Sequence, residues 1–217
     1  LAYSLSTAGA AFIGSAAAGI TILAASRRFR NAGTLLVFGI MFGFIVNALI
    51  SILQAWSDAE SMKSFYNWSV GSFSNTTWTQ IALTASAVAV GTLIALRNSK
   101  GNDIILFGDE FARMTGASPE KIRIRALVSS CLITGAVTAF CGPIGFVGIV
   151  APHITKALLH SSMHRKVLPV TLAIGAAISL GADLLSQIAP SPLPIASTMA
   201  VIGIPVILYI LIRKDNR

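Results

Sequence analysis

The sequence predicts an all-α protein, a polytopic transmembrane helix bundle with about seven spans. Three observations point to this class. Of the 217 residues, 54% are hydrophobic and only 11% are charged. The mean hydropathy of +0.77 is far above that of a soluble domain of this length. The apolar residues also fall into runs of about 20, the length that crosses a bilayer as a helix. Residues 1–217 are therefore expected to form a single transmembrane domain.

Seven apolar runs follow one another along the chain. Six are long, and they are Leu5–Ala25, Thr34–Leu53, Trp78–Leu96, Ile122–Cys141, Val167–Ile188 and Leu193–Ile212. One is short, Phe146–Leu159. If all seven cross, fifteen of the 16 Lys and Arg residues fall on one side of the membrane, and only Lys63 lies on the other. The positive-inside rule makes that side cytoplasmic. The short run is therefore kept as a span, with the N-terminus outside and the C-terminus in the cytoplasm.

Several other classes are disfavoured. The net charge of +8 does not indicate a nucleic-acid partner, because the basic residues lie between apolar runs and not on one face with polar or aromatic readers. Cys131 and Cys141 lie in or at the end of an apolar run, so no disulfide framework is expected. No Cys and His spacing typical of a metal site occurs, and no metal or cofactor is expected on this chain. The start at Leu1, without Met and on the outside, leads us to expect that N-terminal spans of a longer protein are missing.

The longest polar segment, Arg97–Arg125, is expected to be a structured contact element and not a linker. Within it, Gly108–Met114 can form a short helix. Asp109 and Glu110 suit its N-terminus, and Glu110 can pair with Arg113. An ordinary solvated loop is the alternative.

A second helix is expected directly after the first. Gly116 can end the first helix, Ser118 can serve as the N-cap of the second, and Pro119 suits its first position. Phe111 and Met114 would share one face of the first helix. Two helices are therefore expected to meet at a glycine turn.

The segment Cys141–His153 departs most from a lipid-facing helix. Its glycines recur at every third position and its prolines each lack a backbone donor; these residues are Gly142, Gly145, Gly148, Pro143 and Pro152. A helix broken in this way must be buried in protein or line a cavity, as in many transporter pathways. A tight turn leading into a short helix is the simpler alternative. His153 is expected to make a hydrogen bond and is not assigned proton transfer.

One predicted helix carries a polar stripe at four-residue intervals, formed by Gly175, Ser179, Asp183 and Gln187. Such residues usually face a bundle interior or a water-filled cavity. Asp183 is the only acid placed inside a span. Two interpretations stay open: a residue of the pathway, or a structural hydrogen bond to a neighbouring helix or to backbone freed by Pro190, Pro192 and Pro194.

Small residues recur at four-residue spacing in the first two spans, as Ala10, Gly14 and Ala18 and then Gly39, Gly43 and Asn47. These faces are expected to let helices approach closely. The outer connection Gln54–Thr77 contains five aromatic residues. They are expected to be interfacial anchors, with a ligand role as the alternative. Asp58, Glu60 and Lys63 of the same connection could touch a partner on that side.

Five stretches resemble one known family in order along the chain: TLLVFGIMFGFIVNAL, FGDEFARMTGAS, GPIGFVGIVAPHITKALL, HRKVLPVTLAIGAAISLGADLLSQ and LPIASTMAVIGIPVILYILIRK. Together they are similar to the FecCD/vitamin B12-type permeases of binding-protein-dependent ABC importers, which carry ferric siderophores, haem and cobalamin. Such permeases have about ten spans of about 20 residues each, so this chain resembles the last seven.

The resemblance implies a homodimer in a bacterial inner membrane, with two ATPase subunits and an extracytoplasmic substrate-binding protein. Residues 97–125 would be the cytoplasmic coupling loop, with Gly108, Asp109, Glu110, Ala112, Arg113 and Gly116 in contact with the ATPase. ATP and Mg²⁺ would bind to that ATPase, since no phosphate-cradling Gly-rich loop ending in Gly-Lys-Ser/Thr occurs here. One departure is Gln187, which stands where relatives often carry an Arg that can pair with the binding protein.

Two alternatives come from other classes. A secondary transporter would use Asp183 as a coupling acid and would need no ATPase. A membrane-embedded enzyme would use His153 and Asp183, but no nucleophile or metal set accompanies them in the sequence.

Overall fold

The computed structural model describes residues 2–29, 32–73, 76–188 and 193–215, and these form helices joined by connections. The helices are α1 (Ala2–Arg28), α2 (Ala32–Ala55), α3 (Ala59–Ser69), α4 (Trp78–Arg97), α5 (Ser99–Ile105), α6 (Asp109–Met114), α7 (Pro119–Cys141), α8 (Val147–Leu159), α9 (His164–Ile188) and α10 (Ile195–Asp215). The all-α prediction is confirmed for this part of the chain.

The seven predicted runs all form helices, but they are unequal in length. Five are long and apolar enough to cross a membrane: Gly9–Ser26, Gly33–Ala55, Trp78–Arg97, Pro119–Cys141 and His164–Ile188. Helix α8, Val147–Leu159, is shorter, as predicted. Helix α10 extends over 21 residues, Ile195–Asp215, and so corresponds to the predicted run Leu193–Ile212; its segment Ile195–Val206 is apolar. Among the described residues, five helices therefore qualify as full spans, beside the short α8 and the apolar segment of α10.

The bundle is organised around α7. This helix packs against α1 and α4, and α5 and α6 contact its N-terminal part, while α8, α9 and α10 pack on one another. A buried cluster of Ala182, Ile195 and Met199 joins α9 to α10, and Phe73 and Ile144 from the connections pack against it.

The close contact between α1 and α7 uses a different face of α1 from the predicted one. The Ser15 hydroxyl donates to the Cys131 carbonyl (3.2 Å), and a Cβ on Gly19 would lie 2.5 Å from Cys131 Sγ. A Cβ on Gly14 would have no atom within 4 Å, and the same holds for Gly39 and Gly43 on α2. Gly14, Gly39 and Gly43 therefore do not lie at close helix contacts among the described residues, because small residues permit close approach without specifying which face is used. Both cysteines are free thiols.

The connections between the helices form two groups, because members of each group contact each other. The connection after α4 touches the start of α9, where Asp103 binds His164. The connection containing α3 touches the end of α7, where Ser72 N–H donates to the Cys141 carbonyl (3.0 Å). The third and fifth connections therefore contact each other, as do the second and the fourth, which is the grouping that the alternation of spans predicts. Which side faces the cytoplasm stays a prediction from the positive-inside rule.

Candidate docking element and transport pathway

Helix α6 is held between two glycines with left-handed backbone. Gly108 (φ 102°) precedes it and Gly116 (φ 78°) follows it, as predicted for the helix end. Gly116 N–H donates to the Arg113 carbonyl and Ala117 N–H to the Ala112 carbonyl, both at 3.0 Å. This pair of bonds is the Schellman motif, which satisfies carbonyls at a helix end. Ala112 is fully buried, so α6 is seated on the bundle through this residue.

The predicted Glu110–Arg113 pair is wrong, since neither side chain forms an ion pair among the described residues. Asp109 instead accepts a hydrogen bond from Arg123 Nη2 at 2.8 Å. The turn at Gly116 carries the chain back, so that the start of α6 lies beside the second turn of α7. With the side chains 44% and 40% exposed, this ion pair contributes about 0 to 1 kcal/mol.

The predicted start of α7 is correct in position but not in its cap. Pro119 is the first helical residue and is buried. Ser118 occupies the N-cap position, yet its side chain makes no capping hydrogen bond.

An apolar tip projects from this element. It is formed by Leu106, Phe107, Phe111 and Met114, and the side chains of Phe107 and Met114 are 75% and 85% exposed. The rings of Phe107 and Phe111 contact each other with centroids 5.4 Å apart. Beside the tip lies an open cleft lined by residues 113 and 116–120. We define α6 with its apolar tip and this cleft as the docking element.

The chain between α7 and α8 is a broken helix, as predicted. Gly142 has φ 78°, and a Cβ there would overlap the Trp68 carbonyl oxygen of the α3 connection. Phe146, the residue directly before α8, has φ 65°, an uncommon conformation for a non-glycine residue. Within the segment Cys141–His153, Gly142, Val150 and Ala151 are buried. Pro143 is exposed, and a Cβ added at Gly145 or Gly148 would meet open space.

His153 makes the kind of hydrogen bond expected of it. Its Nδ1 lies 2.7 Å from the Ile149 carbonyl one turn earlier, and the side chain is exposed. Pro152 lies inside α8 without ending the helix.

The polar stripe follows α9. Gly175 faces Val147 and Ala151 of α8, at 3.5 and 3.7 Å from its Cβ position, and Ser179 is half-buried. Asp183 Oδ2 accepts from Gln187 Nε2 at 2.9 Å, while Asp183 Oδ1 is buried without a hydrogen-bond partner among the described residues. The bond to Gln187 lies within α9, so no described neighbour supplies the predicted structural hydrogen bond.

The comparisons with known proteins cover nearly the whole chain. Residues 2–213 match the family described as the FecCD transport family. The chain belongs to the FecCD transport family.

Two relatives illustrate the match. The chain is 30% identical over 210 residues to the hemin transport system permease protein HmuU of Yersinia pestis, covering 95% of this chain and 63% of HmuU. It is 31% identical over 198 residues to the vitamin B12 import system permease protein BtuC of Klebsiella pneumoniae, covering 90% of this chain and 59% of BtuC. Across the first curated relatives, the chain spans 53% to 63% of their length.

A solved structure shares the fold. It is described as "an inward-facing conformation of a putative metal-chelate type ABC transporter", with a TM-score of 0.81 and 25% identity, covering 95% of this chain and 73% of that one. The likeness agrees with the all-helical architecture of this FecCD chain.

Helices α3 and α5 of the FecCD chain were not predicted, and neither was the Asp103–His164 pair. Helix α3 lies in the connection between α2 and α4, where Asp58 accepts from Ser61 N–H at 3.1 Å; the Asp-x-x-Ser spacing before an aromatic run was the available signal. Helix α5 extends the bundle beyond α4. Asp103 and His164 lie 61 positions apart, and no local pattern in one sequence points to their contact.

Some predicted site residues come together and others do not. The residues predicted for the coupling loop lie around α6, where Ala112 is buried and Glu110, Arg113 and Met114 are exposed to solvent. No described contact joins His153 to Asp183. Within the described residues, no group of three or more His, Cys, Asp or Glu side chains could hold a metal ion.

Proposed function

We propose that this chain is the transmembrane permease subunit of an ATP-binding-cassette importer. It moves an iron-siderophore or a related metal chelate, such as haem or cobalamin, from a periplasmic binding protein into the cytoplasm. HmuU is described as a hemin transport permease and BtuC as a vitamin B12 import permease, and their similarity to this chain supports this class of cargo. The observation that carries the proposal is the docking element, a capped helix that exposes a large apolar tip on the side with most basic residues.

The chemistry of the docking element suits a protein groove. Exposed aromatic and methionine side chains bury well against a partner, and they are enriched at the centres of interfaces. Glu110 and Arg113 are both exposed and can form a polar rim around Phe111 and Met114. In this proposal the groove belongs to a cytoplasmic ATPase subunit. The glycine caps keep α6 a defined helix, which transmits displacement better than a mobile loop.

Displacement of α6 reaches the other side of the membrane through α7. This helix runs continuously over 23 residues from Pro119 to Cys141. Its far end is joined to α3, since Trp68 Nε1 donates to the Thr138 carbonyl at 3.1 Å. One rigid helix thus links the docking element to the opposite surface, where the broken segment begins.

The proposed assembly is a homodimer in a bacterial inner membrane, with the C-terminus in the cytoplasm. Two ATPase subunits bind ATP and Mg²⁺ and hydrolyse the nucleotide, and an extracytoplasmic substrate-binding protein delivers the cargo. The permease chain itself binds no cofactor in this scheme. Cargo selection belongs to the binding protein, because a transport pathway must be wide and must hold its cargo weakly enough to release it.

The test uses the full-length permease expressed with a candidate ATPase subunit. Met114→Glu places a charge in the apolar tip and is expected to abolish co-purification of the ATPase. Met62→Glu is the matched control, because Met62 is also an exposed methionine, 46% accessible, on α3 at the opposite side. Retention of the ATPase by both variants would refute the docking assignment.

An uptake assay with and without the ATPase separates the alternatives. A secondary transporter driven through Asp183 would move its cargo without any ATPase, so uptake independent of ATP would replace the proposal. No described contact favours a membrane-embedded enzyme, because His153 is bonded within α8 and Asp183 within α9.

A further inference from the structure

Asp103 joins the start of α9 to α5 through one carboxylate oxygen. Its Oδ1 accepts from the backbone N–H of His164 at 3.0 Å and lies 2.5 Å from Nδ1 of the same residue. The two side chains are 33% and 31% exposed. Partial burial opposes ionisation of Asp103, but the hydrogen bonds from His164 outweigh it and hold the pKa of this carboxyl below its usual value.

This carboxylate acts as a helix cap that another helix supplies. His164 is the first residue of α9, so its backbone N–H has no partner within the helix. A negative charge at this end is also favoured by the helix dipole. The contact therefore fixes both the position and the direction of the first turn of α9.

The other face of α5 is fixed to α7. Asn98 is buried, and its Nδ2 donates to the Ile122 carbonyl and to Asn102 Oδ1, both at 2.9 Å. A Cβ on Gly101 would lie 2.9 Å from Ile122 Cγ1, so the α5 backbone rests directly on the first turns of α7. Helix α5 thus forms one rigid unit with the first turns of α7, which directly follow the docking element.

We infer that Asp103 is a positioning residue that makes α9 move together with the docking element. The inference rests on the proposed function and adds a second route by which displacement of the docking element reaches the rest of the bundle. Force applied to α6 passes along α7 and also, through α5 and the Asp103–His164 contact, into α9. Helix α9 carries the polar stripe with Asp183, so this route reaches a part of the bundle that α6 does not itself touch.

The first test measures coupling in the full-length transporter with its ATPase and binding protein in proteoliposomes. Asp103→Ala is expected to lower the cargo taken up per ATP hydrolysed by about five-fold or more, while hydrolysis continues. Asp103→Asn keeps an acceptor for the His164 N–H and is expected to fall between Asp103→Ala and the wild type.

The control is Thr77→Ala, which removes the N-cap of α4 at the opposite side. Its loss of stability, about 1 kcal/mol, is similar to that of a removed cap on α9. Normal uptake per ATP in Thr77→Ala, together with a loss in Asp103→Ala, would support the positioning role. Equal coupling in Asp103→Ala and the wild type would overturn it, as would an equal loss in Thr77→Ala.

The second test needs no ATPase. Spin labels at the exposed positions Lys100 and Arg165, in a cysteine-free background diluted with unlabelled protein, report the distance between α5 and α9. We expect one narrow distance distribution in the wild type and in Thr77→Ala, and a broad one in Asp103→Ala. An unchanged distribution in Asp103→Ala would refute the contact as a positioning device. Absence of ATP-driven uptake by the wild type would instead refute the proposed function.

Discussion

Gly116 offers the sharpest test of the docking element, because the effect of its backbone conformation can be separated from the effect of steric contacts. Its φ of 78° is a conformation that L side chains rarely adopt. An added Cβ would nevertheless meet no atom within 4 Å. The cost of Gly116→Ala therefore comes from the backbone alone, and a left-handed non-glycine residue costs about 1 to 2 kcal/mol.

Two further variants isolate this cause. Gly116→Asn should cost less than Gly116→Ala, because Asn tolerates the left-handed conformation better. Gly148→Ala also places a Cβ in open space, but in a helix, so it should be neutral or stabilising by up to about 1 kcal/mol. Thermal unfolding of the full-length protein in detergent, followed by tryptophan fluorescence, gives the order of stability.

A functional readout accompanies the stability series. If the Schellman turn keeps α6 in position, Gly116→Ala should hydrolyse ATP with reduced uptake, and Glu110→Ala should weaken coupling through the polar rim. Equal stability of Gly116→Ala and the wild type would refute the strain argument. Wild-type coupling in both Gly116→Ala and Glu110→Ala would refute the role of the element.

Three other predictions concern the bundle. Gly142→Ala should lower the unfolding free energy of the protein by about 2 to 5 kcal/mol, since overpacking against the Trp68 carbonyl adds to the cost of the left-handed backbone. A loss no larger than that of Gly116→Ala would contradict this prediction. Asp183→Asn keeps the oxygen that accepts from Gln187 and replaces the oxygen that has no described partner, so its unfolding free energy should stay within about 1 kcal/mol of the wild type. A larger loss would reveal a required carboxylate partner. Gly91→Ala should lower the unfolding free energy more than Ser129→Ala does. The Cβ added at Gly91 would lie 2.5 Å from Ile133, whereas Ser129→Ala removes one hydrogen bond to the Gly91 carbonyl, and such a bond within the membrane contributes about 0.6 kcal/mol. The reverse order of melting temperatures would be inconsistent with the packing.

Acid should weaken the Asp103 contact in a defined direction. The pKa of Asp103 is lower in the folded protein than its ordinary value of 3.8. The stabilisation is therefore complete above 3.8 and is lost as the pH falls through the lower folded value. Melting temperatures recorded from about pH 6 downward should fall less steeply in Asp103→Asn than in the wild type.

The sequence by itself determined the class of the protein and the outline of the docking element. The apolar runs, the end of α6 at Gly116 and the start of α7 at Pro119 depend on residues within a few positions of one another. Hydrophobic length, left-handed backbone and a fixed proline φ act locally, so one sequence is enough to locate them.

Only the tertiary structure decided which side chains and faces meet. Asp109 pairs with Arg123 and not Glu110 with Arg113. Helix α1 packs on α7 through Ser15 and Gly19, whereas Gly14 of its four-residue repeat meets open space. The physical reason is that such contacts depend on how separate helices are placed against one another. The Asp103–His164 contact depends on the packing of α5 against α9, which neither helix specifies within its own residues.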